Sequence, residues 1–157
     1  SDMLAANQPN ACNLCHLDKP IDWTLGHLKD WYDLPEGTIS GDDFASHYPS
    51  REGPVASGWL NSPHAPTRLA AASAVIDQNA LWAMPDLVKI LDDPALINRQ
   101  FTQRGLEDLL GVDLRKMDYQ FYLRPVERQE VLPRIRSFLL QKAGSKTAIA
   151  PRDRVTN

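Results

Sequence analysis

Apolar residues in this chain recur at three- and four-residue spacing, the period of one helix face. Nowhere do they alternate convincingly enough to mark a strand. Residues 1–11 are polar and aperiodic and read as a flexible lead-in. Ile21, Leu25, Leu28 and Tyr32 form the first apolar stripe, with Trp23 and Trp31 on its flank. Asp18 and Pro20 ahead of it are a helix-start signature, a capping side chain followed by proline in the first turn. The stripe stops near Pro35-Glu36-Gly37. Residues 34–54 then collect Gly37, Gly41, Pro49, Gly53 and Pro54 around Asp42 and Asp43, which predicts a long loop carrying His47. A short helix from Val55 to Leu60 is closed by Asn61-Ser62-Pro63.

Downstream of residue 63 the pattern repeats. Pro63 precedes Arg68 by five residues and leads into the apolar run Leu69 to Ile76. Pro94 precedes Arg99 by the same interval and leads into a helix carrying Phe101, Leu106, Leu109 and Leu110, with Gly111 as its stop. The two arginines are 31 residues apart, and Pro85 to Leu91 predicts a shorter helix between them, ending at Asp92-Asp93. Two helices per 30 to 45 residues is the signature of an α-solenoid repeat of HEAT-like type. Asp113 to Leu123 reads as an aromatic connector. Pro125 opens a last helix with the stripe Val131, Ile135, Phe138 and Leu139, which Pro133 should kink or shift. The fold predicted is all-α, with HEAT-like helix pairs over 63–143 and a flexible tail over 144–157.

One pentapeptide carries distinctive chemistry: Cys12-Asn13-Leu14-Cys15-His16. CxxCH is the attachment signal of a c-type haem. Two thiols at this spacing add to the two vinyl groups on one porphyrin edge, and the next residue then lies beneath the ring. There its imidazole binds iron as the proximal ligand. Cys12, Cys15 and His16 are thus the candidates to hold one covalent haem c, within an attachment segment spanning 10–62. A zinc site would need two further ligands in a second CxxC or HxxxH, and neither is present. A thioredoxin-type dithiol would need a strand before it, and the preceding segment is polar.

The totals narrow the class. A chain of 157 residues with 43% hydrophobic content supplies one domain with a core. A net charge of −3 argues against a nucleic-acid partner, which requires a basic face. No apolar run is long enough to span a membrane. Both cysteines sit in the pentapeptide. Ser1 to Ala6 lacks a basic region followed by an apolar run, so it does not read as an intact export signal. Haem is nonetheless joined to cysteines on the outer side of the bacterial inner membrane. The expected location is therefore periplasmic or otherwise exported, with a signal removed or the chain a piece of a larger protein.

The second axial position is open to sulfur or imidazole: His27, His47, His64, Met3, Met84 or Met117. His27 lies on the helix directly after the attachment site, which constrains its side chain to the proximal side or to solvent, and reads as a surface residue. His64 stands at a helix start beside Pro63. Met84 precedes Pro85, in the manner of the methionine ligand of many monohaem cytochromes, and reads equally as a core residue. His64 and Met84 are carried forward as the distal candidates, beside a vacant position. Methionine would raise the potential and suit electron transfer. A second histidine would lower it, and a vacancy would admit small ligands.

The stretch from Asn10 to Leu25 resembles a segment of bacterial multihaem c-type cytochromes, in which CxxCH is followed by x-D-x-x-I-x-W-T-L and combined with HEAT-like repeats. Leu91 to Arg99 and Phe121 to Ile135 are similar to the repeat helices of that family. The resemblance covers most of 10–140 and implies an exported haem-bearing helical domain, often the C-terminal part of a larger cytochrome. The chain departs from the pattern in having one CxxCH where relatives have several. Three functions follow for testing. The first is a monohaem domain that passes single electrons to a redox partner protein or to other haem domains. The second is a haem-based gas or redox sensor, or a peroxidase-like domain, with an open distal site. The third is an interaction module whose CxxCH is structural or binds zinc. No other catalytic constellation stands out, and Asp42-Asp43 and Asp92-Asp93 read as turn and helix-start residues.

Overall fold

Proline and asparagine set the helix starts in this chain, and their positions account for most of its short elements. A computed structural model describes residues 9–32, 48 and 51–149; among these the regular structure is helical, with no strand. The chain divides into two compact units, 1–78 and 79–157.

In the first unit, α1 (Ala11–Cys15) is a five-residue helix capped by Asn10, whose side chain accepts from the Asn13 backbone N–H at 2.8 Å. His16 ends it, leaving helical geometry at φ −117° and ψ 62°. After Pro20 comes α2 (Ile21–Tyr32). The first N–H groups of α3 (Val55–Leu60) donate back to the segment between α1 and α2, Val55 to the Lys19 carbonyl at 3.1 Å and Ala56 to that of Leu17 at 3.4 Å. They thereby pair groups that a helix start leaves free. Then α4 (Ala65–Asp77) begins four residues before the expected Leu69, because Pro66 fits the first turn, where no N–H is needed. Leu17, Ile21, Val55, Trp59, Leu60, Ala71 and Val75 are all buried and make the core. Each large member contributes about 1.5–3 kcal/mol of burial free energy. Tyr48 is buried too, and burial pushes its phenol up, against the polar groups of Asn10 and Trp59 nearby that pull it down.

The α2 stripe differs from expectation. Ile21 and Thr24 are its buried residues, while Trp31 and Tyr32 are exposed. Most of the predicted 34–54 loop, including His47, lies outside the described residues, as does Met3.

In the second unit the expected helix between the arginines is broken. α5 (Met84–Leu87) sits between 3₁₀ turns at Leu81–Ala83 and Val88–Asp92, closed by three-residue bonds such as Asp93 N–H to the Ile90 carbonyl at 3.0 Å. α6 (Leu96–Leu110) ends at Gly111 as predicted, with φ +65° and Val112 N–H bonded to the Glu107 carbonyl at 3.0 Å. α7 (Pro125–Ile149) runs through Pro133 and on into the stretch expected as a tail. Pro133 and Gln129 are both exposed, so the helix bond that proline removes is lost on the solvent face and not in the core. Of the predicted stripe Ile135 and Leu139 are buried, while Val131 and Phe138 are half-buried; Arg128, Leu132 and Ala143 complete the buried line. Leu87, Leu91, Leu106, Leu114 and Tyr119 complete this core, and the Tyr119 hydroxyl donates to the Leu91 carbonyl at 2.6 Å.

The two repeated arginines do the same work. Arg68 Nη1 donates to the Ser62 carbonyl at 2.7 Å, and Arg99 Nη1 to the Asp93 carbonyl at 2.5 Å. Each acceptor lies six residues upstream, immediately before the proline. Arg99 also holds the Pro94 and Phe121 carbonyls at 3.1 and 2.6 Å. Asp93 accepts from Ala95 N–H at 2.8 Å and from Asn98 at 3.1 Å, a helix-start role. The division after Gln78 groups α4 with the attachment segment, whereas the repeat pattern places it with 63–143. Among the described residues no helix is long and apolar enough to cross a membrane.

Candidate functional site

The pentapeptide occupies α1 and its cap. Cys12 and Cys15 are three residues apart on one helix turn and therefore share a face. Neither is in a disulfide; Cys12 is half-buried and Cys15 exposed. His16, exposed, follows as the C-cap.

A helix of five residues has too few internal bonds to hold its own shape. Asn13, between the cysteines and fully buried, supplies what is missing. Its Oδ1 accepts from Asn10 Nδ2 at 2.9 Å and from Thr24 Oγ1 at 2.6 Å, and its Nδ2 donates to the His16 and Lys19 carbonyls at 3.4 Å each. Gln78 on the far side donates to the Leu14 carbonyl. Asn13 thus joins the cap, the turn after His16 and α2. Nothing in the sequence reading singled out Asn13, Asn10 or Thr24. The available signal was an asparagine at the helix start with a second polar residue three positions on.

The bond from Thr24 fixes which face of α2 meets α1. On that face Trp23, His27 and Trp31 follow at four-residue spacing. With His16 they make a ladder of rings: His16–Trp23 centroids at 4.8 Å, Trp23–His27 at 4.5 Å edge-on, and His27–Trp31 at 5.5 Å nearly stacked. Ala11, Cys12, Cys15, His16, Trp23, Thr24, His27 and Trp31 line a groove of about 310 Å³. That is at the lower end for ligand sites, which span about 300–1,000 Å³. Its walls are aromatic and its rim carries the two thiols.

The distal candidates lie elsewhere. His64 is exposed at the N-cap of α4 and does not line the groove. Met84 is 1% exposed, packed in the core of the 79–157 unit. His27, read from sequence as a surface residue, is half-buried in the groove wall. Among the described residues no three His, Cys, Asp or Glu side chains cluster as a metal cage. A haem iron does not require one, since the porphyrin supplies four of its ligands.

A second groove, of about 650 Å³, lies in the 79–157 unit beside Asp92, Arg99, Arg124 and Arg128. Its arginines are already committed. Arg128 is paired with Asp92 at 2.8 Å, Arg124 with Glu127 at 2.8 Å, and Arg99 with backbone carbonyls. Burial, with Arg128 nearby, holds the Arg99 guanidinium below its usual range. These groups support the fold.

Comparisons with protein-family models, curated proteins and solved structures return no match to the chain.

Proposed function

We propose that this chain is a c-type cytochrome domain that carries one covalent haem and moves single electrons. One observation carries the reading: the two free thiols and His16 stand together on the wall of an aromatic groove. The residues present fit the group. A porphyrin needs an apolar face to lie on, thiols at one edge and an imidazole next to them, and α1 and α2 provide all three. The haem, when bound, supplies reversible one-electron chemistry at iron.

The chain's own residues set the conditions. Asn13 holds α1 so that Cys12 and Cys15 share a face. The half-buried Trp23 ring lines the groove wall with apolar surface, and the hydrophobicity around a bound haem tunes its potential. Residues 63–143, with the paired arginine-capped helix starts, are read as a HEAT-like scaffold, an architecture suited to protein docking. A redox partner protein or other haem domains of a larger cytochrome, in the periplasm or another exported location, take up the electron.

Pyridine haemochrome assay of protein made in cells competent for c-type maturation tests this. One haem per chain is expected, stable to acid–acetone extraction, and none in the C12A/C15A variant. Haem that extracts freely, or equal haem in the variant, would overturn it.

A further inference from the structure

Two arginines from different helices hold the same two stretches of chain together. Arg99 of α6 donates from Nε to the Phe121 carbonyl at 2.6 Å, and from Nη1 to the Asp93 and Pro94 carbonyls at 2.5 and 3.1 Å. Arg128 of α7 donates from Nε to Asp92 Oδ1 at 2.8 Å and from Nη1 to the Leu123 carbonyl at 2.7 Å. Each guanidinium therefore bridges residues 92–94 to residues 121–123, which sets the two cations side by side. Arg99 is 7% exposed and Arg128 6%. None of these bonds uses Nη2 of either residue. Neither Nη2 is sealed in the core: among the described residues, the buried side-chain atoms without a partner are Trp59 Nε1, Asn98 Oδ1, Thr102 Oγ1 and Arg136 Nε.

One carboxylate serves the pair. Asp92 is bonded to Arg128, while the Asp93 carboxylate is spent on the start of α6, accepting from Ala95 N–H and from Asn98. The hydrogen bonds of Arg99 run to carbonyl oxygens, and burial together with the Arg128 charge holds its guanidinium below the usual range. A bound anion offsets both penalties. Both arginines line the groove of about 650 Å³, where Arg124, itself paired with Glu127, adds a third cation and Asp92 is the one carboxylate of the wall. The volume exceeds what a bare ion fills and falls in the range of small-molecule sites, about 300–1,000 Å³. Pro94, Leu123 and Pro125 give the wall its apolar part. Tyr122, 57% exposed, stands on it with its ring edge-on to Phe121 at 5.2 Å.

We propose that this groove binds a small organic oxyanion, a phosphate monoester or a carboxylate, between Nη2 of Arg99 and Nη2 of Arg128, with its apolar body against Tyr122. Guanidinium N–H groups form strong charge-assisted bonds to such oxygens. The bonds through Nε and Nη1 fix both groups before the ligand arrives, so little side-chain freedom is lost on binding. Covalent haem is no part of this site. Its failure leaves haem attachment standing, and the reverse holds as well.

Isothermal titration calorimetry of the full chain at low ionic strength tests this, with phenyl phosphate, benzoate, inorganic phosphate and neutral benzyl alcohol as probes. Phenyl phosphate or benzoate is expected to bind once per chain, more tightly than inorganic phosphate, and the tighter of the two names the head group. Benzyl alcohol should give no binding heat. Gln129→Glu adds a carboxylate to the groove wall and removes none of the bonds described above. It should weaken the aromatic anion about tenfold at an unchanged urea midpoint. Tyr122→Ala should bring phenyl phosphate down to the affinity of inorganic phosphate. Arg128→Lys keeps the charge and loses the fork, and should weaken every anion that binds; if it does not fold, Q129E decides alone. No binding of either aromatic anion, equal binding of benzyl alcohol, or wild-type affinity in Q129E would each overturn the site. Inorganic phosphate binding as tightly as phenyl phosphate would overturn the part given to Tyr122.

Discussion

The attachment helix α1 and the long helices α6 and α7 are held in place by different forces. α1 has five residues, and its shape depends on side-chain hydrogen bonds converging on one buried asparagine. α6 and α7, with fifteen and twenty-five residues, carry long backbone ladders, interrupted in α7 at Pro133, and bury Leu106, Leu132, Ile135 and Leu139 almost completely. The contrast separates two kinds of dependence. In the second unit, stability resides in apolar volume and no candidate redox chemistry is attached to it. In the first, the residues that fix the backbone are polar, and they are interleaved with the residues that carry the chemistry. A change at the polar lock should alter the site before it unfolds the protein, and a change in the leucine core should do the reverse.

Ile135→Ala tests the second half of that contrast and has the largest expected effect. Removing a fully buried side chain from α7 should cost about 2–5 kcal/mol in urea denaturation. The haem spectrum of the protein still folded should not change. A shifted spectrum would break the separation. Asn13→Leu tests the first half. It leaves the Thr24 hydroxyl and the Asn10 amide without their partner, at about 1–3 kcal/mol for a buried orphaned group. The expected signature is a fall in attached haem out of proportion to that loss of stability. Normal haem content in N13L would show that maturation needs only the cysteines and histidine.

These two substitutions also mark how far the sequence could be read. The all-α class, the helix start at Pro125, the stop at Gly111 and the span Val55–Leu60 follow from periodicity and from the backbone preferences of proline and glycine. They are local effects, and local effects are legible. In α7 the pattern found Ile135 and Leu139 but not Arg128, which is buried against Asp92, because a buried arginine does not register as a core residue in a hydrophobic pattern. The role of Asn13 was hidden for a related reason. Its partners are spread from Asn10 to Thr24, and only the packing of α2 on α1 brings them together. His27 is half-buried in the groove wall, a placement that depends on the same packing.

The smallest effect concerns Tyr119. Burial raises its phenol pKa, so the folded protein favours the neutral form. Its stabilising contribution is complete below about pH 10, where an unfolded phenol ionises, and is lost as pH climbs from there towards the raised folded value. Tyr119→Phe should lower stability near neutrality by about 0.5–1.5 kcal/mol, since the hydrogen bond to the Leu91 carbonyl goes. Above pH 10 it should flatten the decline. A parallel offset at all pH values would mean that alkaline unfolding is driven elsewhere, for example by Tyr48 in the first unit.

Arg68 and Arg99 each measure six residues back to a carbonyl that precedes a proline. A guanidinium of fixed reach works as a ruler. Between Ser62 and Arg68, and between Asp93 and Arg99, side chains can be exchanged wherever they do not touch the core, but residues cannot be added or removed without pulling the arginine off its acceptor. Variation at these two helix starts is therefore tolerated in kind and forbidden in number. Length, at these two places, is the constrained property.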